Sequence, residues 1–442
     1  MKVNSSIIRI VGLLGDIPEK SSDKLFKRFK AAGYRRDLYP IEPSGNKDLR
    51  SFQFLRDYFY PNFRNIMFLT DNEDEVFRYI RPGSDSVTIK YGSGDKQKLY
   101  NFGILKSELF LFKSQIGLFS ISIEIRDENK NLEDLSNILS VIKNFDALLH
   151  DNLLWHNWIS DNLLAGIPLR STDGNMVSSD EYSGSKFKVY SVIDFEHERI
   201  NRKGHLYDIA TSSPLGAGFG RGFHAPDEEY FDKIMSNRIA VFTNWEAVCL
   251  FDSFCCIGDK NLGDAGSMSY ISWDYTYFRI YLYRLFFKYN LYRYNSMINA
   301  VDAKTIRLRD QFETFLNKYN ISHISFNFLG NELFNKTGEA LELEKELNTF
   351  RDRINNLSKV LQEERESKTN NLLQVVTVLS GVSSVSPAID MVNQAEQYLH
   401  WSPLLFYGVV SIITLAITSG IIYYIFPELF NKLWKKRPSN LE

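Results

Sequence analysis

A charge-free run near the end of the chain dominates its pattern of hydrophobic and polar positions. Leu404 to Phe426 spans 23 residues without Asp, Glu, Lys, Arg or His. At about 1.5 Å per residue, a helix of this length crosses a hydrocarbon core of roughly 30 Å. Trp401 precedes the run, and Lys432 and Trp434 follow it, as is typical of a membrane boundary. The pattern predicts a transmembrane helix; a buried core helix is the alternative.

A second, more polar segment is predicted to form the other half of a transmembrane hairpin. Leu372 to Ile389 is 18 residues long and carries no charge. The first residues show no export signal, so we expect the N-terminal part and the basic tail to share the cytoplasmic side, which requires an even number of crossings. Asp390 to Trp401 would form the outer loop, without Lys or Arg. The alternative is a single tail-anchored helix, with Leu372 to Ile389 a soluble helix end.

Polar and small residues recur on one side of this second segment. Gln374, Thr377, Gly381 and Ser384 are separated by three or four positions, so a helix places them in one stripe. Such a stripe favours either close helix packing or the wall of a pore.

An apolar seam precedes the two predicted spans. Its members alternate at intervals of four and three, as in a coiled coil, and they are Leu343, Leu347, Phe350, Ile354, Leu357 and Leu361. We expect one helix from about Glu339 to Ser386, where Pro387 disfavours continuation. Its partner is the segment from Lys304 to Tyr319, in a helical hairpin, or another copy of the chain, and the two pairings are compatible.

Shorter runs in the N-terminal part indicate a mixture of strands and helices. Leu105 to Phe112 and Leu118 to Ile125 predict a β-hairpin, and Phe187 to Phe195 predicts a strand. Helical spacing extends from Leu132 to about Leu164. The predicted fold is an α+β cytosolic domain (residues 1–301), a helical stalk (302–371), a transmembrane hairpin (372–426, with spans 372–389 and 404–426) and a basic cytosolic tail (427–442).

Composition adds little to this picture. The chain is 44% hydrophobic with a net charge of −2, which supplies a core and shows no bias toward nucleic acid. Cys249, Cys255 and Cys256 lack a C-x-x-C spacing, which favours reduced structural thiols over a zinc site.

One glycine-rich loop is a candidate ligand site. Gly216, Gly218 and Gly220 would let the backbone approach a phosphate or an adenine, and Arg221 and His224 could contact it. The spacing matches neither G-x-G-x-x-G nor a Walker A motif, and a flexible structural loop is the alternative.

Aromatic and basic residues are interleaved from Asp274 to Tyr294. A platform on which bases stack is one interpretation. The other is a packed helix whose basic side faces solvent.

An enzyme is a further alternative. The segments around His156 and Asp194 faintly resemble those of aminoglycoside-type kinases, although Trp158 stands where that family has its catalytic Asp. A metal hydrolase is another interpretation, with a candidate ligand cluster of Asp194, Glu196, His197, Glu198 and His205. The spacing of this cluster matches no familiar set of metal ligands.

A cytosolic domain, a long helix continuing into a polar span, a short outer loop, a second span and a basic tail resemble the CorA-like divalent-cation transporters. This resemblance implies a homo-oligomer, a pentamer as in the family, with Gln374, Thr377, Gly381 and Ser384 lining a pore. The family's Gly-Met-Asn signature is absent from the outer loop, where Asp390, Met391 and Asn393 stand instead. The chain thus resembles more closely a divergent CorA-like branch found beside type III CRISPR systems.

That branch implies a non-enzymatic antiviral effector: a membrane channel opened by a nucleotide second messenger of the S-adenosylmethionine-AMP type. The implied location is the cell inner membrane, multi-pass, with both termini cytoplasmic. No cofactor is required, a divalent cation is an optional ligand, and no metal site is assigned. The expected partners are other copies of the chain, the lipid bilayer and the small nucleotide, with no nucleic acid. The alternatives are a constitutive Mg²⁺ transporter and a tail-anchored cytosolic kinase-like enzyme.

Overall fold

The structure is a computed structural model. It describes residues 1–14, 22–36, 56–68, 76–92, 94–126, 131–170, 186–195, 201–222, 224–259, 272–298, 303–399, 408 and 411–412. The chain divides into two compact units, the first containing Met1–Asn299 and Arg307–Ile354, and the second containing Ala300–Ile306 and Asn355–Glu442.

The described part of the first unit contains one mixed sheet of eleven strands. In chain order the strands are β1 (Val3–Leu14), β2 (Arg35–Arg36), β3 (Val76–Pro82), β4 (Ser86–Tyr91), β5 (Lys98–Phe112), β6 (Gly117–Ile125), β7 (Leu169–Arg170), β8 (Lys188–Phe195), β9 (Arg238–Ile239), β10 (Trp245–Cys249) and β11 (Ser253–Gly258).

The strands follow the order β2-β3-β5-β6-β1-β8-β11-β10-β9, with β4 paired to β5 and β7 paired to β1. Strands β5 and β6 form the predicted antiparallel hairpin, with Leu109 opposite Phe119. The predicted strand ending at Phe195 is confirmed as β8, which pairs in parallel with β11 and antiparallel with β1. The N-terminal strand therefore lies in the middle of the sheet.

Helices lie between and after the strands. They are α1 (Ser22–Ala31), α2 (Pro61–Met67), α3 (Leu132–Ile142), α4 (Trp155–Trp158), α5 (Arg202–Thr211), α6 (Glu228–Met235), α7 (Phe278–Met297), α8 (Ala303–Tyr319), α9 (Phe328–Ala340) and α10 (Leu343–Leu399). The helical spacing predicted from Leu132 to Leu164 is only partly correct, because α3 ends at Ile142 and turns separate it from α4.

One face of the sheet is apolar and forms the main hydrophobic core. Alternate residues of β1, such as Ile8 and Ile10, belong to a buried cluster with Leu135 and Ile138 of α3. The Asn131 side chain caps α3 by accepting a hydrogen bond of 2.8 Å from the Asp134 N–H. The opposite face of the sheet is covered by α7, as contacts between Tyr190 and Phe278 show.

The predicted transmembrane hairpin is wrong for the part of the chain that the structure describes. There, no helix is both long enough and apolar enough to cross a membrane. Residues 372–389 instead lie within α10, which continues through the predicted outer loop to Leu399. The segment's many hydroxyl and amide side chains lower its hydropathy. The predicted fold class, the membrane-protein and ion-channel assignments, and the multi-pass inner-membrane location are corrected by this finding.

The remaining C-terminal predictions fall mostly beyond the described residues. The second predicted span, 404–426, lies outside them apart from Gly408, Ser411 and Ile412, and the tail 427–442 lies wholly outside. Pro387 does not end the helix as predicted. A proline inside a helix removes one backbone hydrogen bond and kinks the axis, and here the helix continues past that loss.

The first part of the predicted apolar seam is confirmed as a packing surface. Leu343, Leu347, Phe350 and Ile354 of α10 are all buried. The ring of Phe350 lies 4.2 Å from that of Phe312 in α8, measured between centroids. The predicted helical hairpin with the segment around α8 therefore accounts for this part of the seam.

Candidate functional site

Buried charges gather on the sheet face that α7 covers. Arg9 of β1, Arg78 of β3, and Lys106 and Glu108 of β5 share this face, because paired residues in neighbouring strands point the same way. A single turn of helix, Ser272–Tyr277, packs against them just before α7. The face therefore carries a polar cluster inside an otherwise apolar interior.

Arg9 is the centre of this cluster. Its Nε donates to Asp274 Oδ1 at 3.0 Å, its Nη1 donates to Glu108, and its guanidinium lies 4.2 Å from the centre of the Phe278 ring. Lys106 Nζ approaches the other oxygen of Asp274 at 3.0 Å. Two carboxylates are thus held between two cations.

These contacts set the protonation of both carboxylates. Burial by itself would raise the pKa of Glu108, but the adjacent Arg9 and Lys106 reverse this effect and hold the pKa well below its ordinary value. For Asp274, burial is likewise outweighed by Arg9 and Lys106, so its pKa is also lowered. Both groups are therefore ionised at neutral pH.

Arg279 of α7 lies beside this network without joining it. Its guanidinium faces three rings, with centroid distances of 4.7 Å to Phe110, 4.9 Å to Tyr275 and 5.9 Å to Phe68. Burial, together with the nearby charge of Arg78, lowers the pKa of Arg279 to about 10. The side chain is therefore still a cation at pH 7.

A cavity of about 720 Å³ lies where α7, α9 and the start of α10 meet. We call it the α7–α10 cavity. Its apolar wall is formed by Phe287, Ile321, Leu343 and Leu347. Its other lining residues are polar, charged or small, and they are Arg284, Asn320, Ser322, Asn335, Gly338, Glu339, Glu342, Glu344, Lys345, Asn348 and Arg351.

Arg284 is the main cation in the cavity wall. Its Nε donates to the Phe334 carbonyl oxygen at 2.9 Å, and its guanidinium lies 3.2 Å from the centre of the Phe334 ring. In the described part of the chain it forms no ion pair. Burial lowers the pKa of Arg284 to about 9, so the group keeps its charge at neutral pH. An arginine held by one nitrogen leaves its terminal nitrogens able to bind an anion.

Gly338 allows Arg284 to occupy this position. A Cβ atom at Gly338 would lie 3.0 Å from Nη2 and 3.1 Å from Cζ of Arg284. Such distances are tighter than ordinary van der Waals contact. The glycine therefore leaves room for the guanidinium against α9.

The turn between α9 and α10 lines the same cavity and is conformationally strained. Glu342 has a φ of +53°, a left-handed conformation that is uncommon for residues other than glycine. The buried Lys288 fixes this turn by donating from Nζ to the Leu341 carbonyl oxygen at 2.8 Å. Burial, with the neighbouring charge of Lys188, lowers the pKa of Lys288 to about 8. Strained backbone of this kind is common at ligand sites.

The predicted glycine-rich loop binds a carboxylate of the chain itself. Asp208 accepts hydrogen bonds from the backbone N–H groups of Gly216, at 2.7 Å, and Gly218, at 2.6 Å. These are the N–H groups that would otherwise face a phosphate. A Cβ atom at Gly218 would lie 2.4 Å from the Gly204 carbonyl oxygen, so close packing also accounts for the glycine.

The remaining predicted ligand residues of the loop are at the surface. Gly220, Arg221 and His224 are exposed, and Gly220 has a left-handed φ of +74°. None of the three is among the residues that line the α7–α10 cavity.

The residues predicted to line a pore or form an outer loop all lie along α10. The first group is Gln374, Thr377, Gly381 and Ser384, and the second is Asp390, Met391 and Asn393. The Thr377 hydroxyl donates to the Leu373 carbonyl oxygen at 2.7 Å, within the same helix. Hydroxyl groups on a helix commonly bond back in this way.

Of the residues in the kinase-like and metal-site alternatives, His156, Asp194 and His205 are buried, whereas Glu196, His197 and Glu198 lie outside the described residues. His156 Nδ1 lies 2.8 Å from the Phe145 carbonyl oxygen, and burial lowers the pKa of the imidazole. Asp194 ends β8 opposite Gly258 of β11. Among the residues that the structure describes, no three His, Cys, Asp or Glu side chains are placed to hold a metal ion. All three cysteines are buried and free.

Sequence reasoning missed the α7–α10 cavity because it assigned the basic residues of α7 to a solvent-facing side. Arg279 and Lys288 are in fact buried, and Arg284 lies in the cavity wall. The spacing of these basic residues already indicates that they do not share one solvent-facing side. At 100° per residue, positions 279, 284, 288 and 293 point in several directions around a helix and cannot all face solvent.

Comparisons with known proteins identify no relative of this chain. The chain matches no protein-family model, no curated protein and no solved structure. The functional interpretation therefore depends on the geometry of the site.

Proposed function

We propose that this is a ligand-binding protein whose α7–α10 cavity holds a small molecule with a carboxylate or phosphate group. The observation that carries the proposal is Arg284, a desolvated cation in the cavity wall that forms no ion pair with the described residues. Buried charges in proteins are normally paired, so an arginine in this setting favours an anionic ligand.

The size and lining of the cavity agree with this proposal. Its volume of about 720 Å³ falls within the range of roughly 300–1,000 Å³ that is typical of small-molecule sites. Phe287 and Leu347 offer apolar contact, while Asn320 and Asn335 supply amide donors and acceptors. The cavity can therefore bind an apolar or aromatic body as well as a charged group.

Acidic residues on the rim favour a ligand that carries both signs of charge. Glu339, Glu342 and Glu344 line the cavity beside Arg284 and Arg351. Glu339 and Glu342 already contact lysines, at 3.1 Å to Lys336 and 3.3 Å to Lys345. The nucleotide–amino acid conjugate implied by the CorA-like resemblance, of the S-adenosylmethionine-AMP type, has an amino group and a phosphate and is the first ligand to test.

The test is isothermal titration calorimetry of the full chain with four compounds: the conjugate, AMP, S-adenosylmethionine and inorganic phosphate. We expect saturable binding of at least one. Arg284→Gln should weaken that binding about tenfold or more, because a charge-assisted hydrogen bond contributes about 1.5–3 kcal/mol.

The matched control is Arg309→Gln, which removes a half-exposed arginine of α8 that contacts Asp310. It should bind the ligand as the original chain does. Circular dichroism would establish that both variants are folded. Equal affinity in Arg284→Gln and the original chain would contradict the proposal, as would the absence of binding by all four compounds.

A second proposal concerns self-association: we propose that the later part of α10 packs against a second copy of the chain. Four apolar side chains within five residues are more than half exposed, namely Leu372 (66%), Leu373 (58%), Val375 (53%) and Val376 (55%). An isolated helix with an exposed apolar face is only marginally stable in water. A second copy supplies an identical apolar face, and most homo-oligomers use one surface twice.

Light scattering after size-exclusion chromatography tests this second proposal. The original chain should have the mass of an oligomer, and the double variant Leu372→Ser with Val375→Ser should shift toward the monomer. Asn371→Ser, a polar replacement at the neighbouring exposed position, should leave the mass unchanged. A monomeric original chain at every concentration, or an unchanged mass in the double variant, would exclude this interface.

A further inference from the structure

A second polar site, separate from the α7–α10 cavity, lies inside the sheet domain. The side chain of Arg279 is only 1% exposed. In the described structure neither Nη1 nor Nη2 has a hydrogen-bond partner. Buried polar groups in native proteins are nearly always satisfied by protein, water or an ion, so two orphaned nitrogens on one guanidinium require a partner.

The charge balance around Arg279 indicates the sign of that partner. Arg279 lies among the cations Arg9, Arg78 and Lys106, and the carboxylates within the cluster are Glu108 and Asp274. Arg78 aside, the described residues of the cluster are three cations, Arg9, Lys106 and Arg279, and two carboxylates, which leaves one positive charge in excess. Glu108 and Asp274 are already engaged by Arg9. A water molecule would satisfy hydrogen bonds but would leave the excess charge uncompensated.

The surroundings of Arg279 also restrict the partner's size. Phe110, Tyr275 and Phe68 lie within 4.7–5.9 Å of the guanidinium carbon. A crowded aromatic setting with two free donors suits a single-atom anion better than a phosphate ester.

We infer that a small monovalent anion of the halide class binds inside the sheet domain at the Nη1 and Nη2 atoms of Arg279. The anion compensates the excess charge of the cluster and stabilises the packing of α7 on the sheet. It is a structural ligand, independent of the molecule proposed for the α7–α10 cavity.

Thermal unfolding at constant ionic strength tests the inference, with sodium chloride replacing sodium gluconate in steps. Because a ligand that binds only the folded state stabilises it, chloride should raise the Tm of the full chain saturably, by about 2–4 °C. Arg279→Met should abolish this dependence on chloride. Arg309→Gln should retain it, which controls for the loss of one positive charge.

Arg284→Gln should also retain the chloride response, and this separates the inference from the proposed cavity ligand. If Arg284→Gln loses the response while Arg279→Met keeps it, the anion binds in the cavity and the inference is wrong. Equal Tm values in chloride and gluconate for the original chain would also overturn it.

A second measurement covers the case in which Arg279→Met does not fold. Crystals of the original chain grown in sodium bromide should show an anomalous difference peak within about 3.5 Å of Arg279 Nη1 or Nη2, at hydrogen-bonding range for a large anion. Water alone at this position, without an anomalous peak, would overturn the inference.

Discussion

At the residue scale, Asp208 shows how the chain satisfies the N–H groups of its own glycine-rich loop. The carboxylate lies at 0% exposure and accepts from Gly216 and Gly218, which lie eight and ten residues further along the chain. Burial raises the pKa of Asp208, and the two backbone N–H groups oppose that rise. The loop is thereby tied to α5, and a ligand phosphate would have to displace this carboxylate.

Gly218→Ala tests whether the glycine is needed for packing. The added Cβ would lie 2.4 Å from the Gly204 carbonyl oxygen and 2.9 Å from its Cα, both backbone atoms that cannot rotate away. The loop must shift and weaken its bonds to Asp208, so we expect a loss of about 2–3 kcal/mol in the free energy of unfolding. Urea denaturation measures this loss.

Gly220→Asn is the matched control for that substitution. No atom lies within 4 Å of a Cβ built at Gly220, and its φ of +74° is one that asparagine tolerates better than most residues. We expect Gly220→Asn to lower the free energy of unfolding by less than about 1 kcal/mol. Similar stability for Gly218→Ala and the original chain would show that the close approach to Gly204 is relaxed at little cost.

At the scale of elements, local periodicity in the sequence predicted those features that short-range spacing determines. The four-three spacing of Leu343, Leu347, Phe350 and Ile354 correctly marks the buried side of α10. Alternation correctly marks the β5–β6 hairpin, whose strands are joined by a short turn with Gln115 at a φ of +66°. In both cases the interacting residues are close in sequence or repeat along one element.

Features formed by distant segments could not be predicted in the same way. The pairing of β1 with β8 joins residues such as Ile8 and Ser191, and that of β8 with β11 joins Ser191 and Cys255. No local pattern encodes such partners. Arg284 faces a cavity built partly from α9 and α10, so its role also depends on contacts far along the chain.

The transmembrane prediction at residues 372–389 failed because absence of charge was weighted above polarity. Gln374, Thr377 and Ser380 lie in the segment, and the Thr377 and Ser380 hydroxyls each bond to the backbone one turn earlier, at 2.7 Å. A helix can satisfy these groups internally, so helix formation by itself does not distinguish a spanning segment from another exposed helix.

At the scale of the whole molecule, the Arg9 network ties together segments that are far apart in the chain. Arg9 bonds to Glu108, 99 positions away, and to Asp274, 265 positions away. It thereby joins β1, β5 and the turn preceding α7. Because these contacts are buried, the stability of the entire sheet domain should respond to the charge of the two carboxylates.

The network predicts a loss of stability in acid. The folded-state pKa values of Glu108 and Asp274 are lowered from ordinary values of 4.5 and 3.8, so the unfolded chain binds protons first as the pH falls. The stabilisation is complete above about pH 5 and decreases as the pH falls toward the folded-state values. The free energy of unfolding, measured in urea from pH 7 to pH 3, should therefore decrease.

Glu108→Gln should be about 3–5 kcal/mol less stable than the original chain at pH 7, because it leaves the buried Arg9 with one carboxylate fewer. Its stability should then depend less on pH below 5, so that the difference between the two proteins narrows in acid. Asp310→Asn, which removes an exposed carboxylate of α8, should follow the original chain at every pH. Parallel pH profiles for Glu108→Gln and the original chain would show that the pKa of Glu108 does not change on folding, and the Arg9 network would then not account for the acid sensitivity of the protein.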